Sequence, residues 1–182
     1  MELGLAFPDN HVTRIRYFTA PLNDRPSDPG QSQRQQTYLR ALATIPEVMV
    51  HLGQYLETKV WAKLVTPLTD GTDKVKVHKS EEKGSDVNLA TYLVLDAARD
   101  QYEAALVVTN DSDLTEPIRV VRWEFGKKVL VVQPCCNGRR GNRELMRVAS
   151  KAVRVDAAIL AASQFPATMP DAHGTVHKPP AW

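Results

Sequence analysis

The chain has 182 residues, of which 43% are hydrophobic and 24% charged, with a formal net charge of +2. That composition excludes disorder as the default, and the length suits one domain with a full core. The small charge permits a polyanion partner without demanding one, so any basic patch must be local. No apolar run approaches the roughly 20 residues that span a bilayer. The first ten residues hold no basic segment leading into an apolar one, unlike a signal peptide. Cys135 and Cys136 are adjacent and form neither a disulfide framework nor a zinc site, which points to a reducing cytoplasm.

Residues 1 to 13 carry no clear element. Arg14 to Ala20 alternates and then turns apolar, a strand ending at Pro21, and the Pro-, Asp-, Ser-, Gly- and Gln-rich residues 21 to 32 form a loop. From Gln33 to Ile45 the positions of Tyr38, Leu39, Leu42 and Ile45 mark an amphipathic helix, stopped by Pro46. Val48 to Leu52 is a second strand. Residues 54 to 79 are an excursion, with β-like pieces at Lys59 to Val65 and Lys74 to Lys79 around the turn-rich Pro67 to Asp73, a hairpin or ribbon. Ser80 to Asp86 then leads into a helix running to about Arg99, with Ala90, Leu93, Val94, Ala97 and Ala98 inward.

Ala104 to Thr109 reads as a short strand buried on both faces, as inside a parallel sheet. Asp111 and Asp113 follow where that strand must end. Leu114, Ile118, Val121 and Phe125 then lie on one helical face, and Gly126 stops the helix as a C′ residue. Lys128 to Val132 is another buried strand, Asn137 to Arg143 a basic loop, and Glu144 to about Leu160 helical. The last twenty residues, with Pro166, Pro170, Pro179 and Pro180, form a strap or tail. Strands alternating with helices predict an α/β fold with a parallel sheet and right-handed crossovers. The domain then spans 1–160, with the ribbon inserted at about 54–79 and a tail at 161–182.

In an open α/β sheet, ligands bind at the carboxyl edge, which is where the acidic turn lies. Two carboxylates there most naturally face a hard divalent cation. The simpler role for one of them is helix capping, since Asp113-Leu-Thr-Glu116 is an acceptable capping box. Asp111-Ser-Asp-Leu-Thr115 also resembles the nucleophile motif of haloacid-dehalogenase-type phosphatases, but no acidic pair follows the later strand. Lys83-Gly84-Ser85-Asp86 is either a turn with Ser85 as N-cap or, if the crossover helix starts near the carboxyl edge, the source of a third carboxylate, Asp86, reaching the same corner from a different element. Lys79 and Lys83 beside the acids either meet an anionic ligand or balance local charge. Arg139, Arg140 and Arg143 are phosphate contacts or a solvated loop. Asp171, His173 and His177 have metal-like spacing but lie in the tail and read as structural. Trp61 and Trp182 read as packing residues sooner than as base-stacking ones.

Glu81-Glu-Lys-Gly-Ser-Asp-Val-Asn-Leu-Ala90, Tyr102 to Asp113 and Gly126-Lys-Lys-Val-Leu-Val131 resemble the NYN domain of the PIN-like nuclease superfamily. The likeness extends back through Arg16-Tyr-Phe-Thr-Ala20 and Arg34 to Leu42, and covers most of residues 14 to 150. The ribbon and the Lys178-Pro-Pro-Ala-Trp182 end look like the bacterial branch of that family. The resemblance implies a PIN-like, Rossmann-like three-layer α/β fold with a mostly parallel sheet. It further implies endoribonuclease-type hydrolysis of RNA with Mg²⁺ or Mn²⁺ held by Asp86, Asp111 and Asp113; Lys79, Lys83, Arg139, Arg140 and Arg143 are, by their charge, the candidates for the nucleic acid. The alternatives are a catalytically degenerate domain that binds RNA or protein and, after it, a phosphatase. A homo-oligomer stays open.

The family begins with an apolar strand ending in Asp-Gly-x-Asn, which this sequence does not contain; Asp9-Asn10 lacks the preceding strand and the glycine. That strand belongs between Arg14–Ala20 and Ala104–Thr109. Its five or so apolar side chains amount to about 10 kcal/mol at roughly 1.5–3 kcal/mol each. Three outcomes are expected: the flanking strands close on each other, residues 1 to 13 or the tail fill the gap, or the protein begins upstream of Met1. The last is the favoured expectation, with the 182-residue chain a truncated gene product.

Overall fold

A computed structural model describes residues 11–134, 141–155 and 157–181. The first parallel pair is β1 (Ile15–Thr19) with β2 (Val48–Leu52), in the register Ile15 to Val48 through Thr19 to Leu52. Helix α1 (Gln31–Leu42) crosses between them and covers the odd-numbered face of β1, where Tyr17 meets Tyr38 edge-on. A long antiparallel ribbon follows, β3 (Gln54–Lys63) with β4 (Lys74–Lys83). Helix α2 (Ser85–Ala98) leads to a second parallel sheet of β5 (Ala104–Val108), β6 (Lys128–Pro134) and β7 (Lys151–Val155). The α/β class and the parallel crossovers expected from the sequence are present.

Helix α2 spans both parallel sheets. Toward β1 it presents Tyr92 to Phe18 and Asp96 to Arg16. Toward β5 and β6 its Leu93 and Ala97 enter a core with Val107, Val129 and Val131. Ile118 and Val121 of α3 (Thr115–Trp123) and Leu145 of α4 (Arg143–Val148) close that core, each at zero exposure. The carboxyl ends of the two sheets therefore meet at the start of α2. Two glycines allow the approach. Gly53 donates its N–H to the Thr19 carbonyl, and a Cβ on it would lie 2.5 Å from the Lys83 carbonyl oxygen. Gly84 takes the left-handed φ of +97° immediately before the helix.

Several expectations are corrected. Among the described residues β1 pairs with β2 and β5 with β6, so the flanking strands do not close on each other. Residues 1–10 lie outside the described residues. Consequently β5 is not buried on both faces: Val107 is buried, while Leu106 and Val108 are 39% and 54% exposed on the alternate face. The ribbon is longer than its most β-like pieces, because cross-strand pairing continues down to Gln54 opposite Lys83.

The stretch from Glu144 to Leu160 is not one helix. Helix α4 ends at Val148, Ala149 turns extended at ψ 150°, and Lys151–Val155 joins the edge of β6 as β7. β-branched Val153 and Val155 fit that pleated edge better than a helix surface, and helix α5 (Ala157–Ala162) follows. The tail holds a hairpin, β8 (Thr168–Asp171) with β9 (Gly174–His177), which packs on α1 through Arg40 and Asp171. The helix expected from Leu114 starts instead with a 3₁₀ turn, Ser112–Leu114, before α3.

Candidate metal centre at the carboxyl edge

Strand β5 runs out through Thr109, whose N–H donates to the Val132 carbonyl of β6. The chain then reverses in a tight acidic turn. The Asp111 N–H donates to Thr109 Oγ1 at 3.1 Å, and the Asp111 carboxylate accepts the Asp113 N–H at 2.9 Å. The capping role expected of Asp113 thus belongs to Asp111, because the inserted 3₁₀ turn moves the first free N–H groups two residues upstream. The Asp113 carboxylate is left exposed.

Asp86 sits in the first turn of α2 and approaches the same corner. Its carboxyl is pushed above the usual aspartate range, first by burial, then by the negative charges of Asp111, Glu82 and Asp113. The three acids named from the sequence are therefore neighbours in space, drawn from two elements 25 residues apart (Asp86 to Asp111). Glu82, at the foot of β4, is a fourth negative charge that the sequence pattern did not single out.

Among the described residues no group of three or more His, Cys, Asp or Glu side chains stands close enough together to hold a metal ion. The acids converge without closing on one point. The donor set is still chemically suited to Mg²⁺ or Mn²⁺: it is all oxygen, anionic and mutually repulsive, and Mg²⁺ characteristically takes one or two protein carboxylates and completes its shell with water.

The neighbouring wall is built by amides. Asn110 Oδ1 accepts the Asn142 N–H at 2.8 Å, and Asn142 Oδ1 caps α4 by accepting from Glu144 N at 2.9 Å and Leu145 N at 3.2 Å. The buried Gln133 donates Nε2 to the Asn142 carbonyl at 3.0 Å. Nothing in the sequence links Asn110 to Asn142, 32 residues on; only the parallel packing of β5 and β6 does.

The basic residues divide. Lys79 and Lys83 both pair with Glu81, at 2.5 and 3.2 Å, and together hold its carboxyl below the usual range. Arg143 is exposed on the first turn of α4, beside Asn142. Arg139 and Arg140 lie outside the described residues. In the tail, Asp171 accepts two bonds from Arg40 and one from the His173 N–H, in keeping with a structural role for that set.

The family description "NYN domain" matches residues 9–156. A curated relative, 6-hydroxy-3-succinoylpyridine 3-monooxygenase HspA of Pseudomonas putida (strain DSM 28022 / S16), is 32% identical over 180 residues, covering 92% of this chain. The chain spans 57% of that relative's length. A crystal structure of a protein of unknown function, VPA0982 from Vibrio parahaemolyticus RIMD 2210633, superposes with a TM-score of 0.54 at 17% identity. That match covers 84% of this chain and 75% of the other, and is a likeness of fold.

Proposed function

The chain belongs to the NYN domain family, and from that premise we propose that it hydrolyses RNA phosphodiesters with Mg²⁺ or Mn²⁺ bound at Asp86, Asp111 and Asp113. The observation that supports this is the approach of Asp86 to Asp111 and Asp113 at the carboxyl edge, where burial first, and then the charges of Asp111, Glu82 and Asp113, raise the Asp86 pKa. Uncompensated carboxylates at a ligand-binding edge favour a cation.

A bound cation there would polarise the phosphate and ease deprotonation of the attacking water. Asp86 and Asp111 would hold it, and Asp113 would balance the remaining charge. Asp111 keeps one oxygen on the Asp113 N–H, which fixes its orientation. Lys79 and Lys83 exchange Glu81 for the scissile phosphate, and Arg139, Arg140 and Arg143 take the flanking phosphates. The test is cleavage of a single-stranded RNA in Mn²⁺ by the purified chain, lost in Asp111→Asn. RNA binding with no cleavage would support the degenerate module instead.

The 32% identity to a named monooxygenase favours one second reading, hydroxylation of a hydroxypyridine ring. That reaction consumes dioxygen and two electrons, so incubation with 6-hydroxy-3-succinoylpyridine, dioxygen and a reduced nicotinamide as electron donor, monitored for substrate loss, tests it.

A further inference from the structure

The β3–β4 ribbon projects from the body, its two strands packed chiefly on each other. Directly opposed residues of an antiparallel pair share a face, so the register sorts the ribbon into two surfaces. One carries Val60 opposite Val77 and Ala62 opposite Val75, all partly buried. The other carries Lys63 opposite Lys74, Trp61 opposite Lys76 and Lys59 opposite His78, all exposed. Four lysines and a tryptophan that is 68% exposed thus occupy three successive rungs.

None of those lysines is ion-paired among the described residues, whereas Lys79 and Lys83 nearer the base share Glu81. The acids on the same face, Glu57 and Glu82, lie below it toward the body, and Asp70 and Asp73 lie in the tip turn beyond it. Lysines on a ribbon edge ordinarily serve to block strand addition. That role does not require them on one face, nor a bare tryptophan among them. Lys63 directly opposite Lys74 is locally unfavourable, as expected where a partner supplies the countercharge.

We propose that this face binds single-stranded RNA, with an unpaired base stacked on Trp61 and phosphates on Lys59, Lys63, Lys74 and Lys76. An exposed ring flanked by cations matches the platforms that hold unpaired bases, and stacking on it requires a base free of its duplex. The Trp61 rung stands seven residues from the Gln54–Lys83 rung at the base, about 24 Å at ~3.4 Å per residue. The arm therefore grips RNA several nucleotides from the acidic corner and confers a preference for long substrates over short ones. The proposal rests on the RNA reading above for its partner, but not on catalysis.

The experiment measures binding of a labelled 20-nucleotide oligouridylate by anisotropy in EDTA, across a salt series. Lys59→Gln/Lys63→Gln/Lys74→Gln/Lys76→Gln is expected to reduce the slope of log K against log salt by about 2.8, at ~0.7 per neutralised phosphate. Trp61→Ala is expected to weaken binding by about 5- to 150-fold, with partial rescue in Trp61→Phe. Circular dichroism confirms that each variant folds. In Mn²⁺, cleavage of a tetranucleotide should be equal in wild type and variants, while the 20-mer is cleaved less by the variants. Wild type that binds with these dependences but cleaves nothing keeps the arm and removes the hydrolase. Variants that bind the 20-mer like wild type overturn the arm, as does tighter binding of blunt duplex RNA. Lysine-dependent binding confined to phosphatidylserine vesicles overturns it in favour of a membrane.

Discussion

Arg16 and Asp96 stand 80 residues apart and meet in two parallel bonds, Nε to Oδ2 at 2.8 Å and Nη2 to Oδ1 at 2.9 Å. The same guanidinium donates Nη1 to His51 Nε2 at 3.0 Å and lies 4.2 Å from the Tyr92 ring centre. Burial and the Arg16 charge lower the His51 pKa, which keeps the imidazole neutral and able to accept. Because β1 and β5 share no ladder, this cluster helps fasten the first sheet to α2. Asp96→Ala leaves the largely buried Arg16 guanidinium without this anion and is expected to cost about 3 kcal/mol, measured by urea unfolding. The pair Arg16→Met/Asp96→Leu should recover most of that loss.

Asp111 performs two roles that substitution can separate. Asn caps a turn as well as Asp does, so Asp111→Asn should leave the metal-free thermal midpoint unchanged or higher while abolishing Mn²⁺-dependent RNA cleavage. Asp111→Ala should lower that midpoint as well, by the equivalent of about 1 kcal/mol. Asp113→Ser should cost little stability, since the Asp113 carboxylate caps nothing, and loss of activity in it would mark a ligand.

Asp86 gives the corner a pH signature. Its folded-state pKa lies above the ordinary 3.8, so the folded chain binds more protons than the unfolded chain in the interval between the two values. Without metal, this group makes the protein more stable as pH falls through that interval, and less stable as pH rises through it. Asp86→Asn should remove the dependence and raise the metal-free midpoint at pH 7. Mn²⁺ should stabilise the wild type at pH 7 and progressively less as the medium is acidified, since metal ligands must be deprotonated. Differential scanning fluorimetry at several pH values, with and without Mn²⁺, reads both effects.

Arg40 and Asp171 hold the terminal hairpin to α1 with bonds of 2.7 and 3.0 Å. The Arg40 hydrogen bonds lower the Asp171 pKa, so this stabilisation is present above the ordinary aspartate value. It is lost as pH falls through the depressed one. Asp171→Asn should leave the main unfolding transition in place but speed proteolytic cleavage around residues 163–178. Equal cleavage rates in the two proteins would show that other contacts hold the hairpin.

Gly141 lies against the buried Gln133, and a Cβ there would stand 1.9 Å from Gln133 Oε1. Gly141→Ala must displace Gln133 or α4 and should cost about 1–3 kcal/mol. The effect should reach the site, because Gln133 and Asn142 position the wall beside Asp111. Gly71→Ala, which meets no atom within 4 Å in the ribbon tip, is strained by its φ of +84° alone and leaves that wall intact.

The sequence by itself determined the alternation of strands and helices, the acidic turn after Val108 and the entry of Asp86 into the crossover helix. Those are local matters: hydrophobic period, a polarity switch and a glycine ahead of a helix. Tertiary structure decided where each apolar face lies and what the polar groups meet. The run from Glu144 to Leu160 carries enough helix formers to read as one helix, yet Lys151–Val155 becomes a strand because the open edge of β6 offers it a full ladder. Leu106 and Val108 look like core in a one-dimensional reading, and are exposed because no described strand lies between β1 and β5. The lysines of the ribbon gather on one face with Trp61 only once the register pairs Lys63 with Lys74. Hydrophobic period encodes an element's type. Its neighbours depend on contacts between residues far apart in sequence, and this chain's period carries no record of them.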